Sequence, residues 1–180
     1  LVVFFGLSII GLGLILSHCA KEGAKIEREG GGAVLLGRFE LVGNPVERTL
    51  EFRPLAAAQN VNPPSVTPAN AATPTYSGGV LSGNVHITNA SGMTLNGVVL
   101  IADQSISGGA TAANPDGGGD FKSNLSCAGN TNAPWFWKLK MGAGNGIIPN
   151  SSTSADKQLQ ITTPSSGFKW WVSFWAFVPS

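Results

Sequence analysis

Glutamate and arginine are missing after residue 53, and with them goes most of the side-chain chemistry that an acid–base or polyanion-binding site would draw on. The charged residues beyond that point are Asp103, Asp116, Asp120, Asp156, Lys122, Lys138, Lys140, Lys157 and Lys169. Histidine is as scarce, with 2 in the chain, His18 and His86. A Ser-His-Asp arrangement would need His86 to meet one of those aspartates with no motif to bring them together. The 2 cysteines, Cys19 and Cys127, stand in neither a CxxC pair nor a Cys/His cluster, so zinc and haem lack ligands and an internal disulfide framework lacks partners. A net charge of +1 generates no long-range field, and no basic stripe is present, which argues against nucleic acid as a partner. The glycines after Asp116 are not followed by GK[ST], so they form no phosphate cradle. These absences predict a protein that is not an enzyme and takes no cofactor.

What is present is unevenly placed. Residues 1–17, LVVFFGLSIIGLGLILS, contain no charge, Pro, Asn or Gln. That run is short of the ~20 apolar residues that cross a bilayer core, and residues 18–20 extend it into the interface. It reads as a single transmembrane anchor over 1–20. A secretory signal peptide would carry a basic stretch ahead of the apolar core, so a retained anchor is the expectation. Gly13 and Ser17 form a small-xxx-small pair that lets a second helix approach closely in lipid. Leu16-Ser17-His18-Cys19 resembles the lipobox of bacterial lipoproteins, which implies lipidation of Cys19, although His18 stands where that motif has a small residue. Leu1-Val2-Val3 and Ile9-Ile10-Gly11 resemble the apolar helix of a mature type IV pilin, which implies a filament with this helix in its core. Phe5 stands where pilins carry Glu, and the triple glycine at 30–32 interrupts the long stalk helix.

Residues 21–53 hold 12 of the 21 charged residues, six of each sign. Residues 20–29 favour a short helix ended by Gly30-Gly31-Gly32, and 33–42 and 46–53 read as a juxtamembrane β-hairpin around Gly43-Asn44-Pro45. In the second strand Val46, Arg48, Leu50 and Phe52 share one face. Residues 54–79 are uncharged and rich in proline and alanine, the composition of a semi-extended linker. From residue 80 to 180 the pattern is β, with strands expected over Val80–Asn89, 93–102, 121–127, 134–140, 157–163 and 168–178. The fold class is therefore mainly β, a small antiparallel β-sandwich or jelly-roll-like distal domain preceded by one transmembrane helix.

The stretch 168–178 is apolar at every even position and carries Trp171, Trp175 and Phe177 on the other face. It reads as a central strand covered on both sides, or as a platform of Trp171, Trp175 and Phe177, joined by Trp135 and Trp137, for a sugar, a lipid surface or a neighbouring subunit. Asp116 and Asp120 flank a glycine run and are weak calcium candidates, since their spacing departs from the EF-hand loop. Asn89, Asn124 and Asn150 each head a glycosylation sequon.

The resulting expectation is a non-enzymatic, membrane-anchored accessory subunit of a larger membrane complex, respiratory or photosynthetic for instance. It is a single-pass membrane protein whose β-domain is periplasmic or extracellular. Its partners are the bilayer and other membrane-protein subunits, contacted through residues 1–20 and the β-domain. A pilin-like filament subunit and a carbohydrate-binding surface domain are the alternatives.

Overall fold

The computed structural model describes residues 33–56, 64–117, 135–141 and 146–177. The anchor expected at 1–20 with its Gly13/Ser17 pair, the helix at 20–29, Asp120 and the strand expected at 121–127 lie outside the described residues. Among the described residues no helix occurs, and none is therefore long and apolar enough to cross a membrane.

Among the described residues the chain forms eleven strands, the longer of them alternating in apolar residues: β1 Ala33–Asn44, β2 Thr49–Pro54, β3 Val66–Asn70, β4 Thr75–Ser77, β5 Val80–Asn89, β6 Leu95–Ser107, β7 Thr111–Ala112, β8 Trp135–Lys138, β9 Ile147–Ile148, β10 Lys157–Thr162 and β11 Phe168–Phe177. The protein is mainly β, built of curled antiparallel sheets. One sheet runs β2-β1-β11-β6-β8, with β9 also on β6; the other runs β3-β5-β10-β7, with β4 also on β5.

The inner faces of both sheets feed one apolar cluster. Leu36, Phe39 and Leu41 of β1 and the even positions of β11 from Phe168 to Ala176 meet Leu81, Val85 and Ile87 of β5 and Leu159 and Ile161 of β10. Burying each such side chain is worth about 1.5–3 kcal/mol before the entropy of ordering it is subtracted. Aromatic rings organise the two ends of the cluster. Phe39 sits edge-on to Phe174 at 5.5 Å, while Trp135 stacks on Trp170 at 5.3 Å.

Hydrogen bonds between the sheets close both seams. On one side Ser65 N–H donates to the Leu36 carbonyl, and the Asn70 amide donates to the Leu50 carbonyl. On the other, Asn114 and Asp116 reach from beside β7 to β8, as described below.

Three features depart from the pattern in the sequence. The hairpin turn starts two residues later than expected: Gly43 and Asn44 belong to β1, and the Asn44 Oδ1 accepts the N–H groups of Val46 and Glu47. That side-chain turn carries Val46 out of the strand and leaves it 77 % exposed, whereas Leu50 is buried. The stretch 54–79, read as a linker, contributes β3 and β4 to the second sheet. Pro68 is accommodated because β3 is an edge strand. Lastly, the charged hairpin lies in the same sheet as the distal strands, since β1 pairs with β11 from Ala33↔Phe177 to Gly43↔Phe168.

Candidate functional site

Strand β11 lies between β1 and β6, so both of its edges are paired and its two faces look to opposite sides of the sheet. Its outer face carries Trp171, Ser173 and Trp175, partnered across the sheet by Gln104, Ile101 and Val99 of β6 and by Glu40, Arg38 and Leu35 of β1. Val99 and Ile101 are buried there, with Trp175 and Phe136 packed against them as a second apolar cluster. Ser173 is only 1 % exposed, and its Oγ accepts the Trp175 indole N–H at 2.8 Å, which fixes that ring over the sheet. Trp171 and Trp175 remain partly exposed. Charged residues rim this face: Lys169 approaches Glu40 at 4.0 Å, and the Lys138 ammonium lies 6.0 Å from the Phe136 ring centre.

The aromatic residues read as one platform are divided between two faces. Trp135 and Trp137 are two residues apart in β8, so they share a face, and register with Ala102 and Leu100 makes it the inner one. Trp137 is 0 % exposed and its indole N–H donates to the Asn114 carbonyl; Trp135 is partly buried against Trp170. Neither joins Trp171 and Trp175. Phe177 ends β11, and its side chain lies outside the described residues.

The Asn114–Asp116 stretch is a clamp between sheets. Asn114 donates through Nδ2 to the Gln158 carbonyl, and its Oδ1 accepts from Gln160 N–H. Two residues on, Asp116 accepts from Lys138 N–H through Oδ2 and from the Lys157 ammonium through Oδ1, both at 2.7 Å. Burial raises the Asp116 pKa and is the largest single effect. The Lys138 hydrogen bond, the Lys157 hydrogen bond and charge, and the Lys138 charge together outweigh it and hold the carboxyl below its ordinary value. Both Asp116 oxygens thus already serve cationic or N–H donors. Among the described residues no group of three or more His, Cys, Asp or Glu side chains is placed to hold a metal.

Around this clamp lies a cleft of about 180 Å³ lined by Asp116, Lys138, Lys140, Ala155, Asp156 and Lys157. His86 of β5 adjoins it through a 3.2 Å contact between Nδ1 and Asp156 Oδ1. Sequence reasoning missed this grouping. The residues come from four separate stretches, brought together by the β5–β10 pairing and by the 114–117 segment lying along β8. The one usable signal was the scarcity of charge after residue 53, which makes any convergence of charges conspicuous.

Asn89, the first of the three sequon residues, is fully buried and hydrogen-bonded within the fold, which removes it as a glycan acceptor. Comparison with protein-family models, curated proteins and solved structures finds no match to this chain.

Proposed function

We propose that the chain is a non-enzymatic accessory subunit, held to a membrane by residues 1–20, whose β-body makes protein–protein contacts outside the cytoplasm. The observation that carries this reading is the outer face of β11. Trp171 and Trp175 stand partly exposed over buried Val99 and Ile101, and Arg38, Glu40 and Lys169 border them. An apolar centre with a charged rim has the anatomy of a protein interface. The apolar stretch 1–17 supports the membrane half of the proposal.

The finer architecture belongs to the same reading. The pairs β1–β11, β5–β10 and β6–β8 are nested, early strand with late strand, as in a long antiparallel hairpin rolled up on itself. Such nesting supports a small sandwich of jelly-roll type.

The test replaces Trp171 and Trp175 with serine in the full chain and follows membrane retention, thermal unfolding and co-purifying proteins. The expected result is a folded, membrane-retained protein that has lost its partners. A folded double variant that still brings down the same partners overturns the assignment of this face. Separately, a chain lacking residues 1–17 that stays in the membrane fraction overturns the anchor.

A further inference from the structure

We infer that the cleft at the seam between β8 and β10 is a binding site for a small oxyanion, a carboxylate or a phosphate-like group. The first ground is where the charge is. Of the charged residues after position 53, Asp116, Asp156, Lys138, Lys140 and Lys157 all line this one cleft, and His86 joins them through Asp156. A chain that places charge so sparingly, yet gathers it from separated segments, has built a polar site into an otherwise neutral body.

The second ground is the balance left after pairing. Asp116 is taken by Lys157 at 2.7 Å, and Asp156 by His86 at 3.2 Å. Among the described residues, neither Lys138 nor Lys140 forms an ion pair with a carboxylate. The cleft therefore sets three lysines against two aspartates, an excess of one positive charge, which favours an anion beside Lys138 and Lys140.

The third ground is anchoring. Lys138 lies in β8, and its N–H is fixed by Asp116. The carbonyl of Lys140 accepts from Ala155 N–H at 2.8 Å, which ties that residue to the approach of β10. The backbones that carry the lysines are thus set by both sheets, so a bound anion need order only the flexible side-chain stems. A space of about 180 Å³ suits a phosphate- or carboxylate-sized group and is too small to enclose a macromolecule. Because the lysines are exposed and hydrated, the affinity is expected on the order of millimolar.

The experiment is an NMR titration of the full ¹⁵N-labelled chain in a non-ionic detergent at constant ionic strength. Inorganic phosphate is the probe in one arm, acetate in a second and sodium chloride in a third. The expected result is saturable shifts of the amides at 138–141 and 155–157 with phosphate, acetate or both, and roughly tenfold weaker binding in the K138Q/K140Q variant. Saturation by phosphate alone identifies a tetrahedral oxyanion, and saturation by acetate alone a carboxylate. Both side chains are exposed, so the variant should keep the dispersion of the parent spectrum; if it does not, K140Q alone carries the comparison. Shifts that follow chloride equally, no saturation in either oxyanion arm, or binding unchanged in the variants overturns the assignment.

Discussion

Replacing Asn89 with alanine tests whether the fold rests on one buried amide. Asn89 ends β5, is 0 % exposed, and uses its whole side chain: Nδ2 donates to the carbonyls of Met93 at 2.8 Å and Ile148 at 3.0 Å, and Oδ1 accepts from Ser91 N–H at 2.9 Å and Ser91 Oγ at 2.7 Å. Its backbone N–H donates to the Ser152 carbonyl, and its own carbonyl accepts from Ser151 N–H. One residue thus joins β5, the 90–93 turn, β9 and the turn at 149–152. In the alanine variant the buried Ile148 carbonyl is left without this donor, a loss of about 1–3 kcal/mol, while the freed Ser91 hydroxyl can donate to the Met93 carbonyl and the Ser91 N–H can turn to water, for a further ~1 kcal/mol. The sum, about 2–4 kcal/mol, corresponds to a fall in unfolding temperature of roughly 4–16 °C for a chain of this size. Asn89→Asp should be worse, because it keeps the acceptor but exchanges the donors for a buried charge. Asn150→Ala is the control: its Oδ1 accepts only the exposed Gly92 N–H among the described residues, so it should lose under about 1 kcal/mol. Thermal unfolding followed by circular dichroism measures all three. An Asn89→Ala variant within about 2 °C of the parent, or one no worse than Asn150→Ala, would refute the reasoning.

Gly167→Ala should destabilise by about 2–4 kcal/mol in urea unfolding, because φ is +80° and a Cβ would run into the Gly43 carbonyl oxygen; Gly79→Ala, also at +80° but facing open space, should lose only ~1 kcal/mol. Equal losses at the two glycines would show that the close approach to Gly43 does not matter. Trp137→Phe should unfold at a lower temperature than Trp170→Phe, by the equivalent of about 1 kcal/mol. The Trp137 indole N–H is bonded to Asn114, whereas the buried Trp170 N–H has no partner among the described residues, so losing it offsets part of the missing ring; the reverse order would count against this. Asp116, whose pKa is lowered in the folded state, contributes stability that is fully present above the unfolded value of about 3.9 and is lost as pH falls through the folded value. Its pair with Lys157 is more than a quarter exposed on each side, so the contribution is at most about 1 kcal/mol. Asp116→Asn should accordingly narrow the difference between urea midpoints at pH 5 and pH 2.5, and an unchanged difference would assign that acid sensitivity elsewhere.

Strands β5 and β11 were legible because each alternates over ten residues, and a core on one face imposes that period directly. By contrast β3 and β4 were not, because edge strands are held by hydrogen bonds to β5, which any backbone can make, and their side chains need follow no pattern. The two-residue strands β7 and β9 are too short to carry a period at all. The tryptophans mark a further limit. Spacing alone puts Trp135 and Trp137 on one face, but whether that face is inner or outer depends on their register with Leu100 and Ala102 across the sheet. The charged cleft was out of reach for the same reason, since the residue partners of Asp116 are set by tertiary pairing and leave no local trace.

The early disappearance of Glu and Arg from the chain acquires a structural sense once the sheet order is known. Strand β11, apolar on one face and aromatic on the other, would be an aggregation hazard if it stood at an edge. It is enclosed by β1 and β6, and on the β1 side the strand that meets the edge is β2, which carries Glu51 and Arg53 in an exposed ion pair and ends in Pro54. At the other end of the sheet β8 is covered by the 114–117 segment, with Asp116 N–H donating to the Phe136 carbonyl and Phe136 N–H to that of Gly117. In the second sheet one edge carries Pro68 and the other is only two residues long. Charge, proline and brevity thus stand at the described edges, and the strongly apolar β11 lies between β1 and β6. The charged hairpin at 33–54 is therefore part of the β-body's own construction, and removing it would expose the flank of β11 together with its tryptophans.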